Sequence, residues 1–326
     1  MTINLTGSLA RLLLASLAIA SIPAWAQPYP NKSIRFIVPY PAGGGTDIIA
    51  RMLGAKLTEA WGQQVVVENR AGASGILGND LVAKAAPDGY TVLIGITMLV
   101  QMPHLNPRLP YDVFKDFTPV AQLALSSNLF AVPASSSTYS LKEFIALAKA
   151  EPLKYGSYGS YGAGTTAHLH GELFNLQTGL KLTHVPYKGG APLATDLMGA
   201  QVPAGFIDLT SARPHLASGR MKFLAISGAR RYAALPEVQT FAEQGLKDFE
   251  PQGWFGMLLP GNAPREITAK LGTEIARILK LPEVQARIND IGLQTADTSP
   301  EQFAAAMKND YAVWGRVVRE AQIKVD

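Results

Sequence analysis

Three glycine-rich segments hold most of the residues whose types and spacing could do chemistry: Tyr40 to Asp47, Gly156 to Thr166, and Tyr187 to Gly190. Each falls between the end of a β-rich run and the start of an amphipathic helix. Unpaired backbone N–H groups and the positive end of the helix dipole make such positions anion sites. The strongest is Gly162-Ala163-Gly164-Thr165-Thr166, where glycines let the backbone approach a ligand and two hydroxyls add donors and acceptors. No Arg or Lys occurs between Tyr155 and Leu180, so a negative charge held there must be met by dipoles. In any single loop the glycines could serve only a tight turn. Three such loops directed to one cleft favour a binding site.

Other chemistries fit poorly. The run Gly162 to Ala167 satisfies a loose G-x-G-x-x-A pattern, but it lies outside the N-terminal unit and no acid ends the next β run, Thr183 to Val185. The chain has no G-K-[ST] sequence. Ser157 and Ser160 both miss the first glycine of the G-x-S-x-G elbow. Cysteine is absent, and His168 and His170 are two apart, which on a helix points them in different directions. With no H-E-x-x-H either, no metal site is expected. His168 could face the cleft or serve as a capping or solvated residue. Asp208, before Thr210 and Ser211, could fix loop amides, cap a helix or accept a hydrogen bond from a ligand. Tyr155, Tyr158 and Tyr161 crowd the second loop, either to stack on an aromatic ligand or to pack locally.

Positioning these loops requires alternating strands and helices. Ile34 to Val38 reads as a strand ending at Pro39. Thr46 and Asp47 then cap a helix with Ile48, Met52 and Leu53 at helical spacing, and Gly62 stops it. Val65 to Val67, a helix from about Ile76 to Ala85, and Thr91 to Ile96 complete a β-α-β-α-β order, hence parallel strands. The pattern restarts with Leu129 to Val132 and a capping box at Ser140 and Glu143 opening a helix to about Ala150. A strand end over Lys154 to Gly156, a helix from Thr165 to about Gln177, and a strand Thr183 to Val185 come next. A helix Ala191 to Met198 and a strand Val202 to Ile207 complete this second set. Phe223 to Ile226 and Trp254 to Leu258 read as further strands, before helices Pro264 to Leu279, Pro282 to Ile291 and Ser299 to about Ile323. The second α/β unit is thus inserted between the first and the C-terminal helices, with crossings near Ala121 to Ser126 and Met221 to Ser227. Two open sheets joined by two crossings leave a cleft at their carboxyl edges.

At 326 residues the chain has room for two domains, and 48% hydrophobic with 17% charged residues is a folding composition. Lys plus Arg exceeds Asp plus Glu by only 4, too little and too scattered to argue for nucleic acid. Arg11, the apolar run Leu12 to Ile22, and Ala24-Trp25-Ala26 have the layout of a secretory signal cleaved before Gln27. The apolar core is shorter than the roughly 20 residues a spanning anchor needs. Losing that segment lowers the net charge from +4 to +3. An exported, soluble protein is a poor setting for ATP- or NAD-dependent chemistry.

Several linked motifs then become recognisable. Tyr29 to Arg35, Val38 to Asp47, Val66 to Ala73 and Ala83 to Thr91 resemble the Bug-type receptors, the extracytoplasmic solute-binding proteins of tripartite tricarboxylate transporters. So do Leu109-Pro110-Tyr111-Asp112, Val185 to Gly190 and the region from Trp254 onward. The resemblance implies an α/β, two-lobed periplasmic-binding-protein (type II-like) fold with two open, mostly parallel sheets. It divides the chain into a signal peptide (1–26), a first lobe (27–125 and 222–326) and a second lobe (126–221). In that family the first-lobe loop contacts ligand largely through ordered water, which points to Tyr40, Ala42, Gly43, Gly44, Thr46 and Asp47. The second-lobe loop holds a carboxylate directly, which points to Ser157, Gly162, Gly164, Thr165, Thr166 and His168, with Asp208 also at the cleft. The implied protein is a monomeric periplasmic receptor that catalyses nothing, needs no cofactor or metal, and delivers a di- or tricarboxylate or aromatic acid to membrane subunits of a transporter. An exported enzyme acting on a small organic acid, and a ligand receptor for a membrane sensor kinase, are the alternatives. Two segments depart from the family: where it usually carries small hydroxyl residues after the third strand, this chain has Thr97-Met98-Leu99-Val100-Gln101-Met102, and Ser157 to Tyr161 is more aromatic.

Overall fold

The computed structural model describes residues 29–296 and 298–324, so the expected signal segment Met1 to Ala26 lies outside the described residues. The elements below all belong to one compact unit, Lys32–Asp326. In chain order they are β1 (Ile34–Val38), α1 (Gly45–Trp61), β2 (Val65–Asn69), α2 (Ile76–Ala83), β3 (Thr91–Ile96) and α3 (Met98–Leu105). Then come β4 (Phe117–Ser126), β5 (Asn128–Pro133), α4 (Leu141–Ala150), the short α5 (Pro152–Tyr155), β6 (Ser157–Ser160) and α6 (Thr166–Thr178). Next are β7 (Thr183–Pro186), α7 (Gly190–Met198), β8 (Gly205–Asp208), the short α8 (Leu209–Ala212) and β9 (Met221–Ile226). The chain closes with β10 (Gly253–Pro260), α9 (Arg265–Leu279), α10 (Pro282–Asp290), β11 (Gln294–Thr295) and α11 (Pro300–Glu320).

The strands form two sheets, ordered β11-β4-β10-β3-β1-β2 and β7-β6-β8-β5-β9. Within the first, β1 pairs in parallel with β2 and β3, as the alternating β and α runs require. Helices cover both faces of those strands, so β1 buries Ile34, Phe36, Ile37 and Val38 rather than alternating. The sheets are mixed rather than mostly parallel. β10 runs antiparallel to both β3 and β4, and β5 runs antiparallel to β8 and β9. The reason is connectivity: strands that enter a sheet from the other unit carry no crossover helix of their own and are free to pair in the opposite sense.

Several local expectations change. β9 pairs with β5 over Leu129 to Pro133, and Ile226 bridges to Thr240, so the chain returns to the first sheet only between Thr240 and Gly253, later than Met221 to Ser227. Pro152 starts a helical turn where a strand end was expected, and β6 begins after it. Ser140 accepts from the Glu143 N–H as a cap should, but the Glu143 carboxylate reaches the Tyr139 N–H instead of closing the box. At the other end of the chain Ser299 and Gln302 do form a capping box, and α11 buries Phe303, Met307, Trp314 and Val318. α1 ends at Gly62 in the left-handed region, φ 67°. α3 and β4 had no matching expectation. Their sequences, Met98 to Leu105 with Pro103 inside and Phe117 to Ser126 with Pro119, carry residues that break either period.

Candidate ligand-binding cleft

β3 delivers its carboxyl end to the space between the sheets. Thr97, the next residue, accepts a hydrogen bond from the Trp254 N–H and donates its own N–H to the Trp254 carbonyl, locking β10 against that end. Phe255 pairs with Ile96, and Gly253 with Ser126 of β4. From the other sheet, the loop after β6 and the start of α8 face them. Between lies a cavity of about 230 Å³. Its first wall is Gly45, Ile96, Thr97, Met98, Gln101, Ser126, Gly253, Trp254 and Phe255; its second is Tyr161, Thr165, Thr166, Asp208 and Thr210. A hydrogen bond crosses it, from Gln101 Nε2 to Thr166 Oγ1 at 3.0 Å.

The second wall is held from behind. Gly162 (φ 150°) and Gly164 (φ 73°) occupy backbone conformations that favour glycine, and they bend the chain from β6 into α6. Ser160 Oγ accepts from the Gly162 N–H, and Thr165 Oγ1 donates to the Gly162 carbonyl at 2.6 Å. His168 Nδ1 accepts from the Gly164 N–H at 3.0 Å, while its ring stacks on His184 with centroids 3.8 Å apart. Burial lowers the His168 pKa to about 4. Burial and the neighbouring His168 lower that of His184 to about 4 as well. Both rings are therefore neutral near pH 7, which leaves His168 Nδ1 able to accept. Tyr158, from the same cluster, donates to Glu172 Oε1 at 2.7 Å.

Thr165 is the N-cap residue of α6, yet its side chain makes no cap bond. The Tyr161 hydroxyl, whose pKa burial and then the Asp208 charge push up, donates to Asn128 Oδ1 and lies beside the Thr166 hydroxyl and the Ala167 N–H. Asp208 Oδ1 accepts from the Ser211 N–H at 2.9 Å and so caps α8. Burial raises the Asp208 pKa against the pull of its hydrogen bonds to Ser211. It caps a helix and lines the cavity at once; the two roles are not exclusive.

The first loop is placed differently. It touches the cavity through Gly45, where a side chain would meet the Phe255 ring at 3.4 Å. Tyr40 is half-buried; Ala42, Gly43 and Gly44 are exposed; Thr46 and Asp47 are buried; none of them lines the cavity. Asp47 holds the loop itself, accepting from the Gly43 N–H, Arg51 Nε and Asn69 Nδ2, each at 3.0 Å. Burial opposes its charge, but Arg51, the Gly43 N–H and Asn69 together keep its pKa below the usual carboxylate range. In the second loop Ser157 sits in β6 opposite Thr183, and Gly162, Gly164 and His168 shape the turn from outside the lining. Only Thr165, Thr166 and Asp208 of the candidate set line the space. Tyr155 and Tyr158 are core residues, and only Tyr161 of the three faces the cavity.

The lining residues the sequence did not single out as ligand contacts are Gly45, Ile96, Thr97, Met98, Gln101, Ser126, Tyr161, Thr210, Gly253, Trp254 and Phe255. Met98 and Gln101 lie in the segment noted as unusual after β3, which was the available signal. Trp254 and Phe255 come from a strand far along the chain, and nothing local marks them.

Comparison with known proteins agrees with this layout. The family described as tripartite tricarboxylate transporter family receptor matches residues 49–323. Protein BugT of Bordetella pertussis is 34% identical over 316 residues, covering 96% of each chain. The structure of R. palustris Rpa4515 with adipate superposes with a TM-score of 0.77 at 34% identity, covering 91% of this chain and 99% of that one. MatC from Rhodopseudomonas palustris with bound malate gives 0.74 at 29% identity, covering 89% and 100%. The chain therefore belongs to the tripartite tricarboxylate transporter receptor family, and its two facing sheets are the lobes of a periplasmic-binding-protein fold.

Proposed function

We propose that this chain is a periplasmic receptor that captures a small carboxylate between its lobes and presents it to the membrane subunits of a tripartite transporter, without chemical turnover. Thr166 carries the proposal. Its hydroxyl accepts from Gln101 and lies beside the Tyr161 hydroxyl at the start of α6, so a carboxylate entering the cavity would take over the Thr166 hydrogen from Tyr161. The first-turn N–H groups of that helix and its dipole favour an anion beside it. The adipate and malate found with two family members support the same ligand class. Removal of Met1 to Ala26 places the mature chain in the periplasm, and no helix among the described residues is long and apolar enough to cross a membrane. The receptor acts as a monomer, and closure of the lobes about their two crossing segments completes capture. The test is a thermal-shift panel of organic acids against their primary amides. An acid that binds only the native state raises the melting temperature, and its amide does not. Equal shifts from acid and amide, or conversion of any bound acid followed by NMR, would overturn the proposal.

A further inference from the structure

Resting on that carboxylate reading, we infer that the cleft selects an acid with one carboxylate and an apolar, ring-sized body, and that Asp208 excludes a second carboxylate. The polar groups of the first wall are largely committed to the protein. The Thr97 hydroxyl holds the Trp254 N–H, and the Gln101 amide holds Thr166. The Trp254 indole N–H points away from the space, donating to buried Asp310 Oδ2 at 3.0 Å. What this wall offers a ligand is mainly the carbon surface of Ile96, Met98, Trp254 and Phe255, with the neutral Ser126 hydroxyl beside it. Phe255 packs against Gly45, the one residue of the first loop that lines the cavity, so the ligand's far end meets an aromatic edge there. Apolar and aromatic walls of this kind gain from burying a ring or alkyl chain, and they give nothing to a solvated charge.

Charge points the same way. No Lys or Arg lines the cavity among the described residues, and the one charged side chain lining it is Asp208. A first carboxylate is met by the first-turn N–H groups and dipole at the start of α6 and by the Thr166 hydroxyl, while the Thr165 hydroxyl stays on the Gly162 carbonyl. A second would find no counter-cation and would share a partly desolvated space with Asp208, where like charges repel more strongly than in water. Asp208 can instead accept a hydrogen bond from a hydroxyl or ammonium group on the ligand.

The experiment is calorimetric titration at pH 7.5 of the wild-type protein and of Asp208→Asn. The ligands are phenylacetate, cyclohexanecarboxylate, adipate, malate, citrate, monomethyl adipate and phenylacetamide. Asn retains the cap on the Ser211 N–H while removing the charge. Wild type should bind the two monocarboxylates at least tenfold more tightly than adipate, malate or citrate, and monomethyl adipate at least tenfold more tightly than adipate. Asp208→Asn should narrow that preference about tenfold. Adipate, malate or citrate binding wild type as tightly as the monocarboxylates overturns the selectivity and leaves the carboxylate reading standing. Phenylacetamide matching phenylacetate, or no acid binding at all, overturns both. The ester comparison uses wild type alone, so it decides the matter even if the variant is poorly folded. An unchanged preference in a folded Asp208→Asn removes Asp208 from the account.

Discussion

Replacing Thr166 by Ala perturbs folding and binding together, by amounts that can be measured separately. Thr166 and Gln101 are 6% and 1% exposed, and one hydrogen bond of 3.0 Å joins them. Without the hydroxyl, the buried Gln101 amide loses its acceptor, which costs roughly 1–3 kcal/mol of stability. For a chain of this size that lowers the melting temperature by roughly 2–10 °C. The bound state loses in addition a hydrogen bond to a charged group, roughly 1.5–3 kcal/mol. At about 1.4 kcal/mol per tenfold, affinity falls roughly ten- to 150-fold. Thr166→Ser keeps the hydroxyl and should recover most of both losses. Thr46→Ala is the contrast: Thr46 is buried outside the cavity lining, so its affinity should stay within about threefold of wild type, the scatter expected from small indirect effects. The assay is calorimetric titration with any acid that binds wild type, with circular dichroism and melting curves on every variant. A folded Thr166→Ala that binds like wild type refutes the assignment. If Thr46→Ala loses affinity instead, the carboxylate sits at the first loop.

Acidification should destabilise the protein through its histidines. Burial lowers the pKa values of His168 and His184 to about 4 and that of His170 to about 3, so between those values and the unfolded value of about 6.5 the native state binds fewer protons. Stability from these groups is present above pH 6.5 and lost as pH falls. Asp310, raised to about 7 by burial, acts in the opposite sense, so Asp310→Asn should steepen the loss between pH 7 and 5; melting curves parallel to wild type would contradict this. Gly171→Ala should cost roughly 1–3 kcal/mol in urea unfolding, because its Cβ would overlap the buried Tyr158 ring; an unchanged midpoint would show that the ring can move aside. Mass spectrometry of the periplasmic protein should find Gln27 as the first residue, and an intact Met1 in the membrane fraction would rule out cleavage.

Local chemistry made much of the fold legible. The β-rich runs Ile34 to Val38 and Thr91 to Ile96 match β1 and β3, and Gly62 stops α1 as its lack of a side chain allows. Three residues of the cavity lining were readable for the same reason: Thr165, Thr166 and Asp208 stand at helix starts, where residue type alone indicates the backbone's needs. In the first loop Asp47 carries the marks of a ligand residue, and in the structure both its carboxylate oxygens accept from Gly43, Arg51 and Asn69. Gly164 and His168 are similar: a hydrogen bond within the turn explains them. What stayed hidden depends on partners distant in sequence. Neither the Gln101 bond to Thr166, 65 residues away, nor the Ile96 pairing with Phe255 leaves a periodic trace, and the mixed pairing of β10 and β5 is decided by how the chain re-enters each sheet.

The lock between Thr97 and Trp254 has a consequence for the order in which the molecule comes into being. It joins residues 157 positions apart, and the indole of the same Trp254 is then steadied by Asp310, another 56 positions on. A chain emerging N-terminus first has made all three glycine loops before it has made β10, which completes the wall. Until β10 is out, the first wall lacks Trp254 and Phe255 and has an open edge beside β3. Pairings of such sequence separation are slow to form, since loop closure must be met before the contacts repay it. A chain cut short before Gly253 therefore lacks part of both the sheet and the cavity wall, and one cut before Asp310 keeps the wall but leaves the Trp254 indole without its acceptor.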